Sequence, residues 1–528
     1  MNNISIGEFS QTARAMIQQQ RYAEVIVFSK QIQVIHPNAA EVHFVLGLAE
    51  KRSRNLQGAK QSFEKAINLD TQRYDAAIEL AELLVVEGDF KHAFFILTHN
   101  EPKLVKSSYY LNIAGTCYTK IGMHEKAWES FKLADKVQPN TDSILANLAD
   151  CAVLMGKAVV AMKIYQKIIE KYPSHQKTHY EFSKIKKADN ASHINEMKAL
   201  LHNSNLPPHQ NIYLYYALGK ELEDLEQWEE SFSFYEKAGK TILSKANYSV
   251  KPEVDAINSI INLCDKSWLT DNTSTPPKMD KTPIFIVGLP RTGTTLIERV
   301  LASHSKIESA DETFFMTMAI NKERNIKGVT EIDSQFIKQG VNANIHNIAE
   351  NYLSMIDYKL SDKPYFVEKY PFNFLLLGFI AKAFPTAKII YLNRHPMDAC
   401  FAMFKQSYFK FAYALADLAE YYVAQHKLHK HWKRVLGNRL IELSYEDFVT
   451  SQETSTTLLF NQLDIEFEQA CLEFYKNTSA SATASTLQVR EKVHNRSINK
   501  WTHYKPYLAP LEEMLNKYGI DTKVTIKT

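Results

Sequence analysis

The chain has 528 residues, 45% of them hydrophobic and 23% charged, with a formal net charge of +3. That length allows roughly two to four globular domains with sizeable cores, while so small a net charge does not predict a nucleic-acid binder and leaves any anion site to local clustering. The five cysteines, Cys117, Cys151, Cys264, Cys400 and Cys471, are scattered without a Cys-x-x-Cys pair, which argues against a disulfide or zinc framework and for reduced core thiols.

The opening residues Met1 to Glu8 show no basic-then-apolar signal pattern, and the chain contains no run of 18 apolar residues. The expectation is a cytoplasmic protein without a membrane span. The first half then repeats. Ala59, Ala93, Ala127 and Ala161 lie 34 residues apart, each followed four residues later by a large side chain: Phe63, Leu97, Phe131 and Tyr165. Gly88, Gly122 and Gly156 keep the same interval, as do Pro139 and Pro173. A period of 34 with small-to-large pairs is the mark of tetratricopeptide repeats. The alanine lets two helices approach, and the large residue fills the groove to the next hairpin, so stacked neighbours share one core. Residues 219–240 read as a further, out-of-phase unit. The predicted helical solenoid covers 1–250, and its concave face is a candidate surface for a protein partner or acceptor; a purely stabilising extension is the alternative.

Residues 251–282 are expected to be the linker, most clearly the polar stretch 265–282 with Pro276 and Pro277. Beyond it the grammar changes. Short apolar runs at Ile284–Val287, Tyr365–Val367, Lys388–Leu392 and Arg439–Leu443 alternate with helical patterns, which predicts an α/β domain with a parallel sheet over 283–528. Ligands of such sheets bind at the carboxyl ends of the strands, so the residues after each run carry the interest.

After the first run, Gly288 and Gly293 frame a turn containing Pro290, and Leu296 to Leu301 continue with helical spacing. A strand, a glycine-framed loop and a helix N-terminus together make a phosphate cradle. The spacing is close to the Walker A loop, but Thr294 stands where the lysine belongs and Arg291 is the only cation in the loop. A nucleoside triphosphatase uses that lysine on the β- and γ-phosphates. Its absence points away from a kinase and towards a ligand with a lone terminal phosphate.

Six motifs appear in order: Pro-Arg-Thr-Gly-Thr-Thr (290–295), Asp-Glu-Thr (311–313), Glu-Lys-Tyr-Pro-Phe (368–372), Arg-His-Pro-Met-Asp (394–398), Tyr-Glu-Asp (445–447) and Ser-Thr-Leu-Gln-Val (485–489), with Lys500-Trp501 behind them. In this the second half resembles sulfotransferases that use 3′-phosphoadenosine 5′-phosphosulfate (PAPS), most of all the tyrosylprotein sulfotransferases and the bacterial proteins that join repeats to such a domain. The resemblance implies that Arg291, Thr292, Gly293, Thr294 and Thr295 hold the 5′-phosphosulfate and that Arg394 holds the 3′-phosphate. It implies that Tyr445, Ser485, Thr486, Gln488, Val489 and Lys500 surround the nucleotide, residues 485–500 forming a lid.

Glu312 matches the family's catalytic carboxylate, with Asp311 and Glu308 nearby; an acceptor hydroxyl must lose its proton as the bond to sulfur forms, and a carboxylate in reach can take it. Lys369 and Ser485 match the groups aimed at the bridging oxygen, where negative charge grows. PAPS is the implied co-substrate, and no metal is expected. Two positions depart from the family: Ala402 replaces a serine and Gln406 a cation beside the 3′-phosphate, with Ser407 and Lys405 as possible compensation. The implied acceptor is a protein or peptide tyrosine. A carbohydrate or small-molecule hydroxyl, or a repeat scaffold with an inactive second half, are the alternatives. The basic stretch His426 to Arg439 reads as a solvated helix face or a docking surface for acidic peptides, not a metal site, since His431 turns away from His426 and His429.

Overall fold

The computed structural model describes residues 4–203, 207–271, 277–481, 483 and 486–524, and the chain forms two compact units, residues 1–151 and 152–528. The first unit is built of helical hairpins. Ala40–Arg52 packs on Leu56–Leu69, Tyr74–Glu87 on Phe90–Leu104, and Ser108–Lys120 on His124–Val137. The expected small residues Ala59, Ala93 and Ala127 are wholly buried, as are Phe63 and Leu97, with Phe131 nearly so. A side chain on Gly47 would begin 2.6 Å from the Phe63 ring, and one on Gly115 would begin 2.5 Å from the Phe131 ring. In these two hairpins the aromatic ring of the second helix therefore lies on bare backbone of the first, which is why they close so tightly. Gly88 and Gly122 adopt positive φ of 82° and 77° where the helices turn back.

The second unit starts with helices of the same kind: Ala158–Lys171, Gln176–Ile185, Ser192–Asn203, Ile212–Asp224, Trp228–Leu243 and Lys251–Leu263. Here Ala161 and Tyr165 are buried, and a side chain on Gly219 would begin 2.8 Å from the Tyr235 ring, as one on Gly47 would meet Phe63. The later helices of this set pack on the remainder of the unit. Phe232 stacks on Phe404 at 5.6 Å and on Tyr507 at 5.1 Å, and Trp228 stacks on His503 at 4.4 Å. The segment expected as a linker begins as a docked helix, because Ala256, Ile257 and Ile260 share one buried face of Lys251–Leu263, which lies against Leu415–Leu436. The short helix Lys266–Thr270 is tied down too: Trp268 donates through Nε1 to the Val341 carbonyl at 3.0 Å, and Lys382 donates to the Trp268 carbonyl at 2.9 Å. The rest of the polar stretch, 272–276, lies outside the described residues.

The sheet has five strands: β1 (Thr282–Gly288), β2 (Ile307–Ser309), β3 (Tyr365–Lys369), β4 (Lys388–Asn393) and β5 (Leu440–Ser444). All their pairings are parallel, in the order β2-β3-β1-β4-β5. The four expected runs fall within β1, β3, β4 and β5, or one residue short of it at Arg439. Strand β2 has three residues, too few for an apolar run to declare it. Ile284 and Ile286 of β1, Val367 of β3 and Ile390 of β4 share one core with Ile297, Val300 and Phe460 from flanking helices. Helical repeats thus precede a parallel-sheet domain, as the sequence predicts. Among the described residues no helix is long and apolar enough to cross a membrane. All five cysteines are buried as unpaired thiols.

Candidate functional site

Strand β1 is paired with β4 so that Gly288 faces Leu392, and a side chain on Gly288 would begin 2.4 Å from the Leu392 carbonyl oxygen. The chain then turns sharply: Arg291 has φ of 67° and Gly293 φ of 100°. Thr292 closes the turn by donating from Oγ1 to the Leu289 carbonyl at 2.7 Å. Gly293 caps the helix Thr294–Ala302, so the unpaired N–H groups of that first turn open onto the loop. Thr294 and Thr295 are buried in it, and Thr295 Oγ1 bonds Thr483 Oγ1 at 3.2 Å.

Lys369 ends β3 beside Ile286 of β1 and is fully buried. Its ammonium bonds the Glu312 carboxylate, whose side chain is 32% exposed, and stands 3.8 Å from Glu298 Oε2. The two expected catalytic groups are therefore in direct contact. Glu298 is an addition that sequence reasoning missed: it lies one turn beyond Thr295 on the loop's helix and accepts from Ser309 Oγ at 2.6 Å. Burial pushes its pKa up, and Lys369 opposes this. Asp311 is turned elsewhere, 3.8 Å from Lys359, while its carbonyl accepts from the Lys369 N–H at 3.2 Å. Glu308 accepts from the Ser361 N–H at 2.8 Å. Glu368, neighbour of Lys369, points to the opposite face of β3. It accepts from the Tyr352 hydroxyl and, at 2.9 Å, from Asn373 Nδ2; burial pushes it up to about 7.

A cavity of about 360 Å³ opens at the carboxyl ends of β1, β4 and β5. Of the expected residues, Arg291, Gly293, Arg394, Tyr445, Gln488, Val489 and Lys500 line it. Glu312 and Lys369 stand outside its lining, at the end of β3. Arg394 donates through Nη1 to the Arg291 carbonyl at 2.7 Å and through Nη2 to the Ser497 carbonyl at 2.6 Å. Its guanidinium lies 4.8 Å over the Tyr445 ring, and its buried Nε has no hydrogen-bond partner among the described residues. Burial pulls the pKa of Arg291 below its ordinary value, and Arg394 adds to this. Ala402 and Gln406 also line the cavity, and Gln406 is turned back on the Ala402 carbonyl at 3.3 Å. Lys405 lines it as well.

Lys500, expected over a phosphate, pairs with Glu223. Thr486 is buried and spends its hydroxyl on the Ser481 carbonyl at 2.7 Å. Ser485 lies outside the described residues. The end of the expected lid is anchored by Asp398, which accepts from the Asn499 N–H at 2.7 Å and the Trp501 N–H at 3.2 Å. In the basic stretch, His429 stacks on Tyr391 at 4.2 Å and pairs with Glu442 at 2.9 Å, while His431 bonds the Cys264 carbonyl at 3.0 Å. Of its cations, Lys433 pairs with Glu442 at 2.6 Å and Arg439 donates to the Ala381 carbonyl at 2.8 Å. Among the described residues no group of three or more His, Cys, Asp or Glu side chains is placed to hold a metal ion.

Residues 283–469 match the model of the sulfotransferase family, and residues 40–73 match a tetratricopeptide repeat. An uncharacterized protein of Aquifex aeolicus (strain VF5) is 26% identical over 392 residues, which is 71% of this chain and 50% of that protein. Protein-tyrosine sulfotransferase 1 of Danio rerio is 25% identical over 276 residues, covering 47% of this chain and 76% of that protein. A solved sulfotransferase domain from the Synechococcus PCC 7002 olefin synthase overlays 47% of this chain and 98% of its own, at 19% identity and a TM-score of 0.36. The chain spans about half the length of the first of these relatives. It carries a sulfotransferase-family domain behind tetratricopeptide-type repeats.

Proposed function

We propose that this sulfotransferase-family domain moves a sulfuryl group from PAPS to an acceptor hydroxyl, and that the acceptor is a tyrosine in a protein or peptide. The observation that carries the reading is the contact of Lys369 with Glu312 at the end of β3, one strand away from a glycine-framed loop on a cationic cavity. The cavity suits a nucleotide with two anionic ends. Arg291, the loop N–H groups and Arg394 supply its positive charge, and Tyr445 carries the Arg394 guanidinium on its ring. The buried Arg394 Nε still has a donor to give. The donor supplies an activated sulfuryl group when bound. Glu312 takes the proton of the acceptor hydroxyl at a carboxylate oxygen, which makes the oxygen a better nucleophile. Lys369, already buried and charge-paired, meets the negative charge that grows on the leaving phosphate, and Ser485 is assigned to the same task. Thr292, Thr294 and Thr295 shape the loop, while Thr486, Gln488 and Val489 belong to the nucleotide's other wall.

The tyrosine acceptor is supported by the name of the Danio rerio relative. We assign the repeats to 1–250, the joining segment to 251–282 and the transferase to 283–528, acting in the cytoplasm. The test is transfer of labelled sulfate from PAPS to tyrosine peptides and to a cell lysate, with Glu312→Ala in parallel. The variant is expected to bind adenosine 3′,5′-bisphosphate normally and to lose at least about a hundredfold in transfer. Near-normal turnover would remove Glu312 from the role of base. Ala402 and Gln406 favour one competing reading, a repeat scaffold without transfer. Absence of adenosine 3′,5′-bisphosphate binding at millimolar ligand would decide for it.

A further inference from the structure

The cavity is not walled by the sulfotransferase-family domain alone. The helices Gln176–Ile185 and Ile212–Asp224 bring Tyr180, Lys184, Lys220 and Glu223 into the same lining. Of the carboxylates in the lining, Glu223, Asp224, Asp398 and Glu491, Glu223 is 8% exposed and is reached by two lysines. Lys405 donates to both of its oxygens, at 3.0 and 2.8 Å, Lys500 pairs with Oε1, and the Tyr504 hydroxyl donates to Oε2 at 3.0 Å. Neighbouring Asp224 is matched by Lys220 at 2.6 Å, so one carboxylate, Glu223, against two ammonium groups leaves this corner of the wall with net positive charge.

The physical need for Glu223 lies in Lys405. That side chain is only 16% exposed, and Lys500 and Arg291 both raise the local positive potential against it. An ammonium so placed keeps its proton and its position only beside a fixed anion. Burial lowers its pKa and Glu223 raises it. Glu223 can serve, because although burial pushes its own carboxyl up, Lys405 and Lys500 outweigh that and hold it at about 2. Each ammonium has three N–H donors, so both lysines keep a donor for a ligand while bound to Glu223. Ala402 and Gln406 give the cavity no charge of their own on the helix Pro396–Phe404 and just beyond it, which leaves Lys405 as the cation of that wall.

We infer that Glu223 is a positioning residue of the donor site, holding Lys405 and Lys500 on the cavity wall where their ammonium groups meet a phosphate of the nucleotide. The inference rests on the proposed PAPS-binding reading, and it makes the last helical hairpins part of the binding site. Calorimetry with adenosine 3′,5′-bisphosphate on the full chain tests it. The expected result is that Glu223→Gln weakens binding by about tenfold or more, since a misplaced cation forfeits a charge-assisted bond. Glu223→Asp should recover part of the loss. Adding Glu223→Gln to Lys405→Met should cost little beyond Lys405→Met alone, because both act through one ammonium. In turnover, the KM for donor should rise by the same factor while the KM for acceptor stays put, a split that loosened packing would not give. If the parent protein fails to bind the nucleotide, the proposed function falls. If the parent binds and Glu223→Gln binds within about twofold of it, the function stands and this inference is overturned. Should Glu223→Gln not fold, Lys405→Met and Lys500→Met decide: unchanged affinity in both overturns the inference, and a loss of about tenfold in Lys405→Met supports it.

Discussion

Gly293→Ala is the sharpest test of the loop. The residue sits at φ of 100°, where an L side chain meets the following carbonyl, at a cost of about 1–2 kcal/mol. The added Cβ would also stand 2.5 Å from Tyr445 Cδ2 and 3.0 Å from Cε2. Carbon contacts are comfortable near 3.5 Å, so the ring must retreat by about 1 Å. Tyr445 has little room, being 9% exposed, and overpacking of this kind costs about 1–3 kcal/mol. Together the two effects predict a loss of about 2–5 kcal/mol. The retreat does not stop at the ring. Arg394 rests on it at 4.8 Å and holds the Arg291 carbonyl at 2.7 Å, so both arginines of the cavity lining shift. Chemical denaturation measures the first consequence, and calorimetry with adenosine 3′,5′-bisphosphate the second, expected as a loss of about tenfold or more. A variant with parental stability and parental affinity would refute the geometry of the loop and of the Tyr445 contact together.

Arg394→Lys keeps the charge but cannot span the Arg291 and Ser497 carbonyls from one planar group; nucleotide affinity is expected to fall by about tenfold, and calorimetry showing no change would remove Arg394 from the site. Glu368 is pushed up to about 7 by burial. The stability its protonated form contributes is therefore complete below the ordinary carboxylate range near 4.5 and is lost as pH rises through 7. Glu368→Gln should match the parent in thermal unfolding at about pH 4.5 and exceed it at about pH 8, by up to roughly 3 kcal/mol; a variant no more stable than the parent at the higher pH would show that burial does not raise this carboxyl's pKa. Phe131→Ala removes a ring that is 2% exposed and lies on Gly115. It should cost the first unit about 3–5 kcal/mol in denaturation experiments, and a cost below about 1 kcal/mol would mean the hairpins are not closed as described.

What the sequence disclosed and what it withheld divide along the range of the forces involved. The glycine-framed turn was readable because Gly288, Arg291 and Gly293 answer to local demands, a tight turn and a helix start, that the chain states within six residues. The repeats were readable because a period of 34 prints the same hairpin several times over. Strand β2 was not, since Ile307–Ser309 is held mainly by its pairing with β3 rather than by any run of its own. The packing of the first part of the expected linker was hidden for a related reason. Pro276 and Pro277 announce a break, but Trp268 is fixed by partners at Val341 and Lys382, and nothing near it in the sequence mentions them. Glu298 sat in plain view on the loop's helix, yet only the fold brings Lys369 to within 3.8 Å and turns an ordinary helix acid into a buried neighbour of the site.

The pairing of Glu223 with Lys405 lies at the far end of that scale. The two are 182 residues apart, one in a helix of repeat character and one just past a helix behind β4, and neither residue is unusual in its own surroundings. Their meaning comes from charge balance in a confined space. A cavity built to attract an anion accumulates cations that repel one another, and each buried ammonium must be stabilised before a ligand arrives. Water reaches Lys405 poorly, its side chain being 16% exposed, so a carboxylate must do this. The helix Ile212–Asp224 supplies it here, together with the aromatic packing of Phe232 on Phe404 and Tyr507 that fixes the distance. An excised sheet domain would keep the loop, Arg394 and the contact of Lys369 with Glu312, but Lys405 would face Arg291 and Lys500 without the carboxylate that both lysines hold. The electrostatic unit is therefore larger than the stretch that matches the family, and it includes helices whose sequence grammar speaks only of packing.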